Sequence, residues 1–151
     1  MKVLVTGGLG YIGSHTSVEL LEEGHEVVVL DNLSNSKEEV KDKIKQITGK
    51  EVKFYLGDMI NEELLDEIFT KEKIDAVIDF AAYKAVGESV KKPVEYYTNN
   101  VSTVLVLLKV MKKHNVKKLV FSSSATVYGN PEHVPIKETD KTGGTTNPYG
   151  T

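Results

Sequence analysis

The chain has 151 residues, 40% apolar and 27% charged, which is ordinary globular composition at the length of one domain with one core. It contains no cysteine, which excludes disulfide scaffolds, cysteine-ligated zinc, iron–sulfur clusters and thiol catalysis and makes the reducing cytoplasm the expected location. Nineteen Lys and Arg against twenty-two Asp and Glu leave a net charge of −3, so nothing draws the whole molecule to nucleic acid or an anionic membrane, and no segment approaches the ~20 apolar residues of a membrane span.

Val3 to Thr6 is short and apolar and predicts a first strand; Gly7 and Gly8 follow too soon for the core of a secretion signal. The run Thr6-Gly7-Gly8-Leu9-Gly10-Tyr11-Ile12-Gly13 leads into a predicted helix over Tyr11 to Glu23, with Gly24 as its C-terminal cap. Glu26 to Leu30 is the second strand, with Asp31 at its end, and Lys37 to Ile47 the second helix. Val52 to Leu56 predicts a third strand, Asp58 follows it, and Asn61 with Glu62 and Glu63 opens a helix that runs to Lys71. Ala76 to Ala81 is the fourth strand. Gly87 to Lys92 reads as a loop or short turn before a helix over Pro93 to His114, in which Val94, Tyr97, Val101, Val104, Leu105 and Leu108 form an apolar stripe. Lys118 to Ser122 is the fifth strand. Gly129 to Thr151, with Pro131, Pro135, Pro148, Gly143, Gly144 and Gly150, has little periodicity and reads as loop leading elsewhere, and with no closing helix after it the chain is expected to be a fragment.

Strands too brief for helices, alternating with amphipathic segments, imply βαβ units: a parallel sheet buried on both faces in an α/β doubly wound (Rossmann) fold, with expected strand order 3-2-1-4-5. In that context the glycine run satisfies both Gly8-x-Gly10-x-x-Gly13 and Gly7-x-x-Gly10-x-x-Gly13. Small residues let the main chain approach a pyrophosphate, whose charge is met by helix-end amides; a plain tight turn is the alternative. Asp31, about twenty residues on, can accept from both hydroxyls of an adenosine ribose and would repel a 2′-phosphate, which favours NAD over NADP; the alternative is that it only starts the turn Asp31-Asn32-Leu33-Ser34-Asn35. Asp58 is a weaker candidate, for an adenine contact or for a helix approach. Ser122, Ser123 and Ser124 lie at the ligand-binding edge of such a sheet, where a hydroxyl can orient a substrate, although a serine triplet also suits a plain strand-to-loop transition. Tyr149 taken alone reads as a packing residue. Lys112, Lys113, His114, Lys117 and Lys118 form a basic cluster without aromatic interleaving, read as a solvated helix end rather than a nucleic-acid site; His15, His25, His114 and His133 lack ligand spacing, so no metal is expected.

Together these residues resemble the extended short-chain dehydrogenase/reductase family, and within it the UDP-glucose 4-epimerase branch. Besides the glycine run, the resemblance rests on Asp31 to Ser36, Lys84-Ala85-Val86-Gly87-Glu88-Ser89-Val90, Tyr96-Tyr97 with Asn99-Asn100, Ser122 to Gly129, and Asn147-Pro148-Tyr149-Gly150. It implies interconversion of UDP-glucose and UDP-galactose, with the C4 hydride passing to NAD and back to the other face of a 4-keto sugar. Tyr149 would be general base on the 4-hydroxyl and Ser124 would bond the same oxygen. Around NAD it places Gly7, Gly10, Tyr11, Ile12, Gly13, Asp31, Asn32, Leu33, Ser34, Asn35, Ser36, Asp58, Met59, Phe80, Ala81, Ala82, Lys84, Asn99 and Ser122, and it implies a homodimer for the full-length protein. The family's lysine would fall at position 153, after the chain ends at Thr151, and Asp79 stands where the family pattern has His. The 151 residues alone are therefore expected to be catalytically incompetent. A sugar-nucleotide 4,6-dehydratase is disfavoured because Ala125-Thr126, not an acidic pair, follows Ser124; another UDP-sugar epimerase and a non-catalytic NAD-binding module remain as alternatives.

Overall fold

The computed structural model describes all 151 residues, which fall into two compact units: Met1–Ala81 with Thr103–Ser122, and Ala82–Ser102 with Ser123–Thr151. The elements are β1 (Lys2–Thr6), α1 (Tyr11–Glu22), β2 (Glu26–Asp31), α2 (Val40–Thr48), β3 (Lys53–Leu56), α3 (Glu62–Glu72), β4 (Ala76–Asp79), α4 (Val86–Lys91), α5 (Pro93–Lys113), β5 (Lys118–Phe121) and a 3₁₀ turn at Ala125–Tyr128.

The first unit carries one five-stranded sheet in the order β3-β2-β1-β4-β5, with every pairing parallel. This is the expected topology. The strand period of two divides the sheet's side chains between two cores. Leu4, Val28, Leu30 and Val77 pack with Leu65, Ile68 and Phe69 of α3 and Leu107, Val110 and Met111 of α5. On the other face Val3, Val5, Val27 and Val29 pack with Leu21 of α1 and Ile44 of α2. The expectation of strands buried on both faces holds for β1, β2 and β4, while Leu56 on β3 and Val120 and Phe121 on β5 are exposed because these strands form the sheet edges.

Asn61 caps α3, its side-chain oxygen accepting from Leu64 N at 3.1 Å. Asn61→Ala should lower stability by about 1 kcal/mol in urea unfolding, the ordinary worth of such a cap.

The structure corrects three sequence expectations. Residues 87–92 are not loop: they fall largely within α4, held by the Glu88–Lys92 pair and by the Tyr96 hydroxyl, which donates to Glu88 at 2.9 Å. A six-residue helix has too little periodicity to announce itself, and its anchor lies on the next helix. The second helix begins at Val40 instead of Lys37, because the amides of Val40, Lys41 and Asp42 bond three residues back, in 3₁₀ fashion. On α5 the stripe of Val94, Tyr97, Val101, Leu105 and Leu108 is exposed; Tyr96, Thr103, Leu107, Val110 and Met111 are buried instead, with Val104 between. This helix is apolar on more than one side, so period alone does not select the inward face.

Of the basic cluster, Lys113 and His114 pair with Asp66 of α3, which together hold its carboxyl below the usual range. These two residues thus join the end of α5 to α3.

Candidate functional site

In the first unit the glycine run turns between β1 and α1, and its glycines answer to different demands. Gly7 adopts φ +63°, and a Cβ there would lie 3.1 Å from Ala81 N and from the Phe80 carbonyl carbon. At Gly8 a Cβ would come within 2.8 Å of Val29, and at Gly13 within 2.3 Å of the Gly7 carbonyl oxygen. These three are required by the protein itself. Gly10 differs, since its Cβ would meet only the Gly7 carbonyl oxygen, at 3.2 Å. Gly10 is the N-cap of α1 and has no side chain to cap it; the first amide bonded back is that of Ser14, to Gly10 O at 2.9 Å. The amides of Tyr11, Ile12 and Gly13 therefore lie at the positive end of the helix, with the Tyr11 and Ile12 side chains exposed.

Asp31 ends β2 and is 7% exposed. One carboxyl oxygen accepts from Leu33 N at 2.9 Å and from Ser36 Oγ at 2.7 Å; the other accepts from Leu9 N at 3.0 Å. The turn-starting role is thus present, and it leaves the second oxygen with acceptor capacity. Asn32 donates to Asp58 at 2.9 Å and its own side-chain oxygen accepts from Ser34 N, so the loops after β2 and β3 are tied together. Asp58 also accepts from Ile60 N at 3.0 Å, which is the helix-approach role. Leu33 has φ +59°. Ser34 and Asn35 complete the loop. Met59 is 3% exposed and packs in the core. At the end of β4, Phe80 N bonds Thr6 O, and Ser122 N extends the ladder to Asp79 O.

The second unit holds Ala82, Lys84, Asn99, Ser124 and Tyr149. The main chain on either side of Lys84 is fixed from α5. Asn100 accepts from Tyr83 N at 2.9 Å and donates to Tyr83 O at 2.8 Å, while the Tyr96 hydroxyl accepts from Ala85 N at 3.1 Å. The Asn99 side chain donates to Asn100 at 3.0 Å. Roles for Asn100 and Tyr96 escape the sequence because each acts on main chain more than ten residues away. Ser124 Oγ caps the 3₁₀ turn, accepting from Thr126 N at 3.2 Å and sharing a bond with Thr126 Oγ1 at 2.9 Å. The turn carrying Tyr149 is closed by Asn147, which is 8% exposed and accepts from Gly150 N at 2.8 Å. A Cβ on Gly150 would lie 3.0 Å from Thr126 O, so the segments bearing Ser124 and Tyr149 adjoin at Thr126 and Gly150. No hydrogen bond joins Ser124 to Tyr149.

The NAD dependent epimerase/dehydratase family matches residues 3–151. The chain is 62% identical over 151 residues to the UDP-glucose 4-epimerase of Haemophilus influenzae, covering all of this chain and 45% of that protein. It is 57% identical over 150 residues to the UDP-glucose 4-epimerase of Bacillus subtilis, covering 99% and 44%. Among solved structures, the Bifidobacterium longum UDP-glucose 4-epimerase in complex with NAD+ and UDP matches with a TM-score of 0.97 at 59% identity, over 99% of this chain and 45% of that one. The chain thus spans somewhat under half the length of these relatives.

Proposed function

We propose that the chain, which belongs to the NAD dependent epimerase/dehydratase family, is the nucleotide-binding part of a UDP-glucose 4-epimerase. The observation that carries this reading is identity of 57–62% to two UDP-glucose 4-epimerases along essentially the whole chain, joined to a glycine loop shaped for a dinucleotide. The residues present fit NAD. The helix-end amides behind Gly10 meet the pyrophosphate, and the protein's own packing scarcely requires glycine there, which leaves the absent Cβ as room for a ligand. Asp31 accepts from the adenosine ribose, and the loop Asn32 to Ser36, Asp58 and Met59 border that end. Phe80, Ala81 and Ser122 complete the contacts proposed for the first unit. When bound, NAD supplies a reversible hydride acceptor for the sugar C4. Tyr149 takes the proton from the 4-hydroxyl and returns it, and Ser124 orients that oxygen by a hydrogen bond, exchanging its capping bond to do so.

Asp31→Ala removes the acceptor of one ribose hydrogen bond, which, being made to a charged group, is worth about 2 kcal/mol. Calorimetric titration should show NAD affinity reduced roughly 30-fold and the preference for NAD over NADP relaxed. Equal affinity of the unaltered chain for the two nucleotides would remove Asp31 from the ribose site.

The experiment that tests the function supplies UDP-galactose and NAD to the 151-residue chain and to the protein at the full length of its relatives. UDP-glucose formed by the longer protein alone makes this chain its cofactor-binding part. A 4-keto-6-deoxy product would reassign the protein as a dehydratase, and no turnover by either would leave a non-catalytic module. The exposed apolar stripe on α5 supports the homodimer proposed for the full-length protein, which sedimentation can test.

A further inference from the structure

Between β1 and β4 the strand order reverses, and β4 ends there in Asp79, which is 2% exposed. Its two carboxyl oxygens are used unequally. Oδ1 accepts from Thr6 Oγ1 at 2.5 Å and from Ala81 N at 3.1 Å, whereas Oδ2 is buried without any partner. Its strand neighbours are Thr6 on β1 and Phe121 on β5, neither charged. Burial raises the carboxyl's pKa against the opposing effect of its two hydrogen bonds. A buried orphan oxygen is a cost that packing does not explain, so the value of the group lies in what Oδ1 joins. One donor immediately precedes Gly7; the other lies in the segment against which Gly7 packs, where a single added Cβ would stand 3.1 Å from Ala81 N.

We propose that Asp79 is a positioning residue for the dinucleotide: by joining the Thr6 hydroxyl to the Ala81 amide it sets the spacing between the glycine loop and the main chain that follows β4. The proposal rests on the NAD-binding reading above. Only Oδ1 does this work, so asparagine, with an oxygen in the same place, preserves it and alanine does not.

The test titrates NAD into the 151-residue chain and its Asp79→Asn, Asp79→Ala and Thr6→Val variants, with urea unfolding and amide exchange at Ala81 measured in parallel. Asp79→Asn should bind within about threefold of the unaltered chain, and Asp79→Ala and Thr6→Val about tenfold more weakly. The double variant Thr6→Val with Asp79→Ala should be no weaker than the weaker single, because both changes break one link. Ala81 exchange should quicken in Asp79→Ala but not in Asp79→Asn. A folded Asp79→Ala variant with undiminished affinity overturns the proposal, as does Asp79→Asn binding as weakly as Asp79→Ala. Should Asp79→Ala not fold, Thr6→Val carries the test, and its undiminished affinity overturns the proposal. Failure of the unaltered chain to bind NAD overturns the functional reading and the dinucleotide role with it; the Ala81 exchange then reports separately whether the carboxyl holds this main chain.

Discussion

Gly13→Ala is expected to lower the stability of the chain by about 3 kcal/mol, the upper end of ordinary overpacking, while Gly10→Ala changes it by less than about 1 kcal/mol. The difference follows from what each new methyl meets. At position 13 it would stand 2.3 Å from the Gly7 carbonyl oxygen and 2.8 Å from Gly8 Cα, both main-chain atoms of the turn that joins β1 to α1. Neither can move without shifting Gly7, whose own approach to Phe80 and Ala81 is already close. At position 10 the only neighbour is one carbonyl oxygen at 3.2 Å, and φ −69° is open to alanine. The ligand should see the reverse order. In the proposed site the methyl of Gly10→Ala takes room left for the pyrophosphate, so NAD affinity should fall on the order of 100-fold with the fold intact. Urea unfolding and calorimetric titration of the two variants check both halves. Gly10→Ala binding NAD as the unaltered chain does would remove the helix end from the pyrophosphate site.

In a protein of its relatives' full length, the role proposed for Tyr149 predicts that Tyr149→Phe reduces kcat about 1,000-fold, the middle of the range for losing a positioned acid–base group. NAD affinity should stay within about threefold, because the first unit's glycine loop and Asp31 do not depend on the hydroxyl. The local structure tolerates the change. The turn is held by Asn147, through its side chain to Gly150 N and its carbonyl to Thr151 N, and none of these bonds involves the tyrosine oxygen. Rapid-quench measurement of UDP-galactose conversion beside NAD titration separates the two effects. Unchanged kcat would exclude Tyr149 as the base, and a parallel loss of NAD affinity would make it a binding residue.

What the sequence determined by itself is the sheet and the loop that opens it. Apolar runs of four to six residues, interrupted by amphipathic segments, admit a parallel sheet covered on both faces, because that arrangement buries its central runs from both sides. The glycine spacing is equally local, since a left-handed φ at Gly7 and close packing at Gly13 are demands within one turn. Asp31 was legible too, as an acid at a strand end, though its second duty to Leu33 and Ser36 appears only once the loop has closed on it. Tertiary structure decided the rest. Which side of α5 turns inward depended on how α5 meets the first unit's core, where Leu107, Val110 and Met111 were chosen over equally apolar neighbours. The anchor of α4 on Tyr96, the clamp of Asn100 on Tyr83 and the bond from Thr6 to Asp79 join residues 8 to 73 positions apart. Hydrophobic period and turn chemistry act over a few residues, whereas a polar side chain finds its partner only where the fold has already brought a donor and an acceptor together.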